Sequence, residues 1–449
     1  MSAAAAVSNR TLDAPRPTKR GVVAWLALAA VALTIVTSGI VFTEPAPIDL
    51  LTIGLIVLLP VVGLVQFNPG LLAYGALWLV AGACAMFAAT FSLDTQQTMT
   101  HVGVTLYLYA ATFVLAGFIA HSPRAHTELI FKAWTVAALI AAAAALIGYF
   151  GLLPGAHDLF TRYDRASGTF KDPNVFGPFI IVPMLYLLSS ALDRPLRSVI
   201  LRLGVAGVLM LAVFLSFSRG AWINLALALV IYGYLLLATT ANVRLRLKIV
   251  GLLVVGCVMA AGVIVVAASS DQIADILSQR ASLDQSYDTG SEGRFGGQEK
   301  AVGLVLDNPL GIGAQEFVAR HHPEEAHNVY LTMLMSAGWL GGGTYIVIVA
   351  LTLVLGLRHA LMSSATRPIF LVAYAAFAAT AFEGMVIDTD HWRHFYVLLA
   401  IVWGLMTASA AAPAIARRAP RLLRTLQPLQ HVPIMRRRAA IIGPAPHPA

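Results

Sequence analysis

Twelve apolar runs, each close to the roughly 20 residues that a helix needs to cross a bilayer, start near residues 21, 48, 70, 101, 129, 174, 199, 220, 249, 327, 368 and 394. Little chain is left between them. Of the 449 residues only 12% are charged and 58% are hydrophobic, and the mean hydropathy is +0.78, a balance that water cannot keep dispersed. Strands of a membrane barrel alternate in polarity over about 10 residues, and these runs do not. The expectation is therefore an all-α polytopic membrane protein of about 12 transmembrane helices. Val22 to Phe42 is kept as the first of them. It is longer than a signal-peptide core, and Glu44-Pro45 stands where a small-residue cleavage site is wanted.

Charge sets the orientation. With the N-terminus in the cytoplasm and twelve crossings, all but nine of the 30 Lys and Arg fall on the cytoplasmic side, as the positive-inside rule requires. Among the acidic residues only Asp13, Glu128 and Asp193 fall there. The reading is N-in and C-in. The net charge of +8 then reports topology plus a basic tail, and implies no nucleic-acid partner. Residues 1–20 read as a disordered cytoplasmic segment, 21–411 as the transmembrane domain, and 412–449 as a basic cytoplasmic tail near anionic headgroups. Cys84 and Cys257 lie within apolar runs, which suits packing and leaves no disulfide framework or cysteine zinc site.

The nine outer cations are Arg162, Arg165, Lys171, Arg219, Arg280, Arg294, Lys300, Arg320 and Arg393. Two long loops are expected on that face, residues 151–173 and, between the ninth and tenth helices, the larger 269–326. In the first, Asp172-Pro173-Asn174 suits a capped helix start, with Arg165 and Lys171 placed to hold an anion there. Ser218-Arg219-Gly220 is a near-loopless reversal. An arginine at that depth must snorkel or find a partner, and a lipid-linked phosphate is one such partner. In the second loop, Gln298 to Leu306 suits a short interfacial helix with Arg294 near its start, ended by Asp307-Asn308-Pro309. Gly311-Ile312-Gly313 supplies a turn.

His327-Asn328 opens the tenth helix. A helix N-terminus repels an imidazolium, so the ring of His327 stays neutral and can take a proton from a sugar hydroxyl. Its bland alternative is an interfacial histidine beside an ordinary Asn328 cap. His321-His322-Pro323-Glu324-Glu325 has metal-ligand residue types without a helical face to hold them. Asp388-Thr389-Asp390 has the form that some sugar transferases use for a divalent cation, yet paired carboxylates are common at a water boundary. Glu383 is expected to pair with an outer arginine. Gly338 and Gly342 suit close helix approach, and Gly341 to Gly343 a bend.

The series Arg165-Ala-Ser-Gly-Thr-Phe with Pro173-Asn174, then Ser218-Arg219-Gly220, then Arg294 with Asn308-Pro-Leu-Gly-Ile-Gly313, then His327-Asn328 with Gly338 and Gly341, resembles the O-antigen ligase and polymerase superfamily of bacterial inner membranes. The resemblance covers about residues 160–357. It implies a GT-C-like glycosyltransferase that moves a glycan from an undecaprenyl-diphosphate donor to an acceptor hydroxyl at the periplasmic face. It further implies that Arg219 and Arg294 handle the diphosphate and that His327 is the loop histidine. Arg165, Lys171, Asn174 and Asn328 complete the expected site as substrate contacts. Direct attack would invert the anomeric centre, with no metal or cofactor required. The acceptor is a glycan, a lipid or a protein, and ligase, polymerase and protein O-glycosyltransferase branches stay open. Two rivals share the composition: a secondary transporter of a small anion and a non-catalytic envelope-assembly protein. A transporter should show charges at mid-membrane and an internal repeat, and neither stands out.

Overall fold

The computed structural model describes residues 19–43, 45–192, 195–268, 290 and 293–418. All twelve apolar runs are helices. In chain order the first eight elements are α1 (Lys19–Thr37), α2 (Pro47–Val62), α3 (Pro69–Ala88), α4 (Thr95–His121), α5 (Pro123–Tyr149), the short α6 (Ala156–Phe160), α7 (Pro173–Ala191) and α8 (Leu196–Leu215). Then follow α9 (Arg219–Thr239), α10 (Val243–Ala268), α11 (Arg294–Asp307), α12 (Glu316–Arg320), α13 (Val329–Leu361), α14 (Arg367–Glu383) and α15 (Arg393–Arg418). Among the described residues seven helices are long and apolar enough to cross a membrane: α3, α4, α5, α7, α8, α9 and α13. Shorter apolar stretches lie in α1, α2 and α15. The expected N-terminal segment up to residue 18, residues 269–289 of the large loop with Arg280, and the tail from 419 onward lie outside the described residues.

Local chemistry explains where the helices begin. Asn68, Asp94, Asp172, Ser218 and Asn328 each accept a backbone N–H of the first turn of α3, α4, α7, α9 and α13, a cap worth about 1 kcal/mol. Proline opens α2, α3, α5, α7 and α14, where its missing N–H costs nothing. The innermost helices are α7, α14 and α15. Nearly every residue of α14 from Phe370 to Ala381 is buried, as is α15 from Phe395 to Met406. A helix apolar on all faces belongs inside a bundle. Among the described residues the departures from an all-α chain are a parallel bridge of Val41 to Phe170 and a hairpin of β1 (Thr161–Arg162) and β2 (Arg165–Ala166), paired Thr161 to Ala166 and Arg162 to Arg165. Tyr163 and Asp164 both take positive φ in its turn, the backbone a two-residue hairpin needs.

Helix α13 carries the break that shapes the site. The bend expected at Gly341 to Gly343 is found instead at Gly338, with φ 69° and ψ −178°. Breaking the ladder there leaves Met335 C=O and Trp339 N–H to find other partners. Ile312 N–H donates to the first at 2.8 Å, and Pro309 C=O accepts from the second at 2.9 Å. The segment after α11 is thereby stitched into the break, and Trp339 Nε1 adds a bond to Val305 C=O at 2.7 Å. The close helix approach expected at Gly338 and Gly342 is made instead by Gly341, which meets α3, because the break at Gly338 turns Gly342 toward Met333 and Leu334 of its own helix. A Cβ at Gly341 would lie 2.6 Å from that of Cys84.

Candidate functional site

Backbone and side-chain bonds gather many loops and helix ends at one end of the bundle. Residues 169–171 pair with Val41, just past the end of α1, with Val41 N–H donating to Thr169 C=O and Lys171 N–H to Val41 C=O, both at 2.8 Å. Arg165 is buried and donates from Nε to Ser216 C=O at 2.7 Å and from Nη2 to Asn174 Oδ1 at 2.8 Å. It thus ties the turn carrying Arg219 to the first turn of α7. Gly384 C=O accepts from Val329 N–H at 2.9 Å, joining the end of α14 to the start of α13. Leu93 N–H donates to Glu316 at 2.7 Å. Between these parts lies a cavity of about 710 Å³, within the size range of small-molecule sites.

The cavity wall is polar. Arg162, Arg165, Lys171 and Asn174 line it from the hairpin and α7, and His101, Gln315, Glu325, Asp388, Asp390, His391 and Arg393 from other sides. Three of the four expected substrate contacts, Arg165, Lys171 and Asn174, are therefore brought to one chamber. Asn328 is placed as the α13 cap, accepting from Tyr330 and Leu331 N–H at 3.1 and 3.3 Å. Arg219, Arg294 and His327 are not lining residues of the chamber. They stand beside it.

His327 adopts φ 49° just before the Asn328 cap. Gln298 Nε2, one turn into α11, donates to its carbonyl at 3.3 Å, and its own backbone lies near enough to the carboxyl of Asp388, a chamber residue, to help hold that group's pKa down. Its Nε2 faces Glu324 Oε2 at 3.4 Å. Burial holds the imidazole below its usual value, the nearby Arg294 guanidinium lowers it further, and Glu324 pulls the other way. A neutral ring was the expectation. The leading causes are desolvation and Arg294 rather than the helix end alone. Arg219 is the first residue of α9, and its neighbour Gly220 lies so close to Glu383 that a Cβ would stand 2.8 Å from Oε1. Glu383 in turn precedes Gly384, which holds Val329, two residues past His327. Arg294 and His327 thus share one electrostatic neighbourhood, and Arg219 connects to it through the α14 corner.

Several groups carry weight that sequence patterns did not assign. Glu383, expected to meet an arginine, accepts from Asn224 Nδ2 at 2.6 Å, since α9 and α14 pack side by side and leave no solvent route for a longer side chain. Asp388 accepts from Thr332 Oγ1 at 2.6 Å, while its other oxygen is buried with no hydrogen-bond partner. Burial raises its carboxyl, and the neighbouring Asp390 raises it more. Burial also works against Asp390, but His391 and His101 outweigh it and hold that carboxyl low. Arg393 grips Asp49 with two bonds, 2.6 and 2.8 Å, and Tyr107 Oη also donates to Asp49. The Asp-x-Asp spacing was the one signal pointing to this wall, and it is too common to single out His101 from another helix.

Comparison with known families gives one match: residues 204–346 fit the family model described as O-antigen ligase. That stretch carries Arg219, Arg294 and His327, and ends within α13. No curated protein matches the chain. The match supports the O-antigen ligase and polymerase superfamily and, with the apolar helices, a membrane-embedded ligase or polymerase that transfers glycans.

Proposed function

Starting from the place of residues 204–346 in the O-antigen ligase and polymerase superfamily, we propose that this protein is an inverting glycosyltransferase acting at the periplasmic face of a bacterial inner membrane. The donor is a polyprenyl-diphosphate-linked glycan, of the undecaprenyl class, and the acceptor supplies a hydroxyl. The observation that carries the reading is the electrostatic effect of Arg294 on His327, close to a polar chamber lined by Arg165, Lys171 and Asn174.

The polyprenyl tail lies along lipid-facing helices, and its diphosphate rests against Arg219 and Arg294. Guanidinium groups meet phosphate oxygens two at a time. As the C1–O bond breaks, charge accumulates on the leaving diphosphate, so the two cations hold the transition state more tightly than the bound donor. His327, neutral by virtue of burial and Arg294, takes the acceptor proton as the hydroxyl oxygen attacks C1 from the opposite face. Asp388, held by Thr332, lies close to the His327 backbone. Arg165 holds the Arg219 turn in register with α7. The chamber accommodates the glycan or acceptor end, with Lys171 and Asn174 as polar contacts.

Purified protein given a lipid-diphosphate glycan and an acceptor tests this directly. His327→Ala should slow transfer by roughly 100-fold or more, the usual worth of a positioned general base, and Arg294→Ala by a comparable factor. Unchanged rates in both variants, at equal folded yield, would remove these residues from the reaction.

A further inference from the structure

His101, near the start of α4, and Asp390 and His391, in the turn between α14 and α15, come from segments far apart in the chain and meet on the chamber wall. His101 Nε2 lies 3.7 Å and His391 Nε2 4.0 Å from the same oxygen, Asp390 Oδ2. The two imidazoles are held face to face with centroids 4.0 Å apart. One ligand atom from each residue falls within 4.8 Å of the other two. We propose that His101, Asp390 and His391 form a three-ligand site for a divalent cation of the zinc class, set in the chamber wall apart from the arginine and histidine set of the proposed reaction.

The chemistry of the donor set favours that occupant. Two imidazoles and one carboxylate, with coordination positions left open, are a recurrent zinc arrangement. With bonds of about 2.0–2.1 Å, ligand atoms in a tetrahedron stand roughly 3.4 Å apart, so the 3.7 and 4.0 Å separations from Asp390 Oδ2 close with small side-chain movements, while the two stacked rings must turn so that both lone pairs converge on the ion. A divalent cation also resolves an electrostatic problem. One carboxylate cannot compensate two stacked imidazolium rings, whereas two neutral rings and a carboxylate complement a single M²⁺. The surroundings suit metal binding as well. Gln315 Nε2 stands 3.2 Å from His101 Nδ1, and turning the amide over brings its Oε1 to the same place. With its oxygen toward the ring, Nδ1–H donates and Nε2 keeps its lone pair for the ion, the outer hydrogen bond that orients metal-bound histidines. Thr105 Oγ1 stands 2.9 Å from His391 Nε2, and its hydroxyl has a second acceptor in His101 C=O at 3.2 Å. It can release the ring nitrogen without losing its own bond.

The test is Zn²⁺ titration by calorimetry of the full chain in nanodiscs, with any affinity tag removed and the protein stripped by chelator. One tight equivalent is expected for the wild type. His101→Ala and His391→Ala should each weaken it by more than the roughly 10- to 100-fold typical of losing an outer partner, and Gln315→Ala by about 10-fold. His321→Ala, which alters the other histidine-rich loop, should leave it unchanged. Absence of a tight equivalent, or one indifferent to His391→Ala, overturns the site. Should the variants fail to fold, visible absorption of the Co²⁺-loaded wild type decides. Intense d–d bands support inner-sphere nitrogen and carboxylate ligands, and the weak spectrum of the hydrated ion refutes them. Glycan transfer is not the readout, so this site and the proposed reaction stand or fall separately.

Discussion

His327 lies between opposed charges, Arg294 lowering its affinity for a proton and Glu324 raising it. Only the neutral ring can act as a base. A ring held below about 6.5 keeps that form at neutral pH and loses it as acid titrates it, so the rate should fall on acidification with a midpoint below the ordinary histidine value. Glu324→Gln removes the groups that favour the charged form and leaves Arg294 in place. The pH–rate profile of this variant should therefore show its acidic limb moved to lower pH; a limb moved upward would mean another group is being titrated. Sequence reading reached His327 because an interfacial histidine next to a capping asparagine is conspicuous. It reached Asp388 only as half of an Asp-x-Asp pair, because its place near the His327 backbone depends on two loops separated by α13 and α14.

At the level of elements, the decisive feature is the break in α13. Gly338 occupies backbone space that side chains avoid at a cost of about 1–3 kcal/mol, and a Cβ there would fall 2.6 to 2.8 Å from backbone atoms of Pro309 and Leu310. Gly338→Ala should expel the 309–312 segment, lower the melting temperature by several degrees and loosen the seating of α11, taking transfer activity with it. Gly343→Ala is the control. Its Cβ would meet nothing within 4 Å, and alanine is the better helix former by about 1 kcal/mol, so both readouts should hold or improve. The cap at Asp172-Pro173, the α9 start at Arg219 and the α11 stop at Asn308 were all legible, because capping and proline chemistry act within a few residues. The location of the break was not. Four glycines lie at 338 and 341–343, and only the partner segment selects among them.

Across the whole molecule, Asp49 of α2, Tyr107 of α4 and Arg393 of α15 form a buried polar knot that binds three helices. Arg393→Ala strands the Asp49 charge and should cost on the order of 3–5 kcal/mol, whereas replacing both charged partners with apolar residues, Asp49→Leu with Arg393→Met, should cost less. Detergent-phase melting of the single and double variants checks that order. The charge pattern also predicts one orientation. With Cys84 and Cys257 changed to Ala, Lys171→Cys should react with an impermeant maleimide in intact cells and Arg124→Cys only after permeabilisation. Reaction of Arg124→Cys in intact cells would invert the topology. Both positions are exposed, so reagent access is not in question.

Hydrophobic run length and the sign of flanking charge are local quantities. They sufficed to establish a helical membrane chain and the starts of its helices. Which side chains meet depends on how the fifteen helices of the described residues pack, and only the tertiary structure decided that. It joined His101 to Asp390 and His391, gave Glu383 to Asn224 instead of an arginine, and set His327 beside the chamber rather than in its wall. Those contacts bridge segments up to several hundred residues apart, and no periodicity or spacing along the chain encodes a distance of that kind.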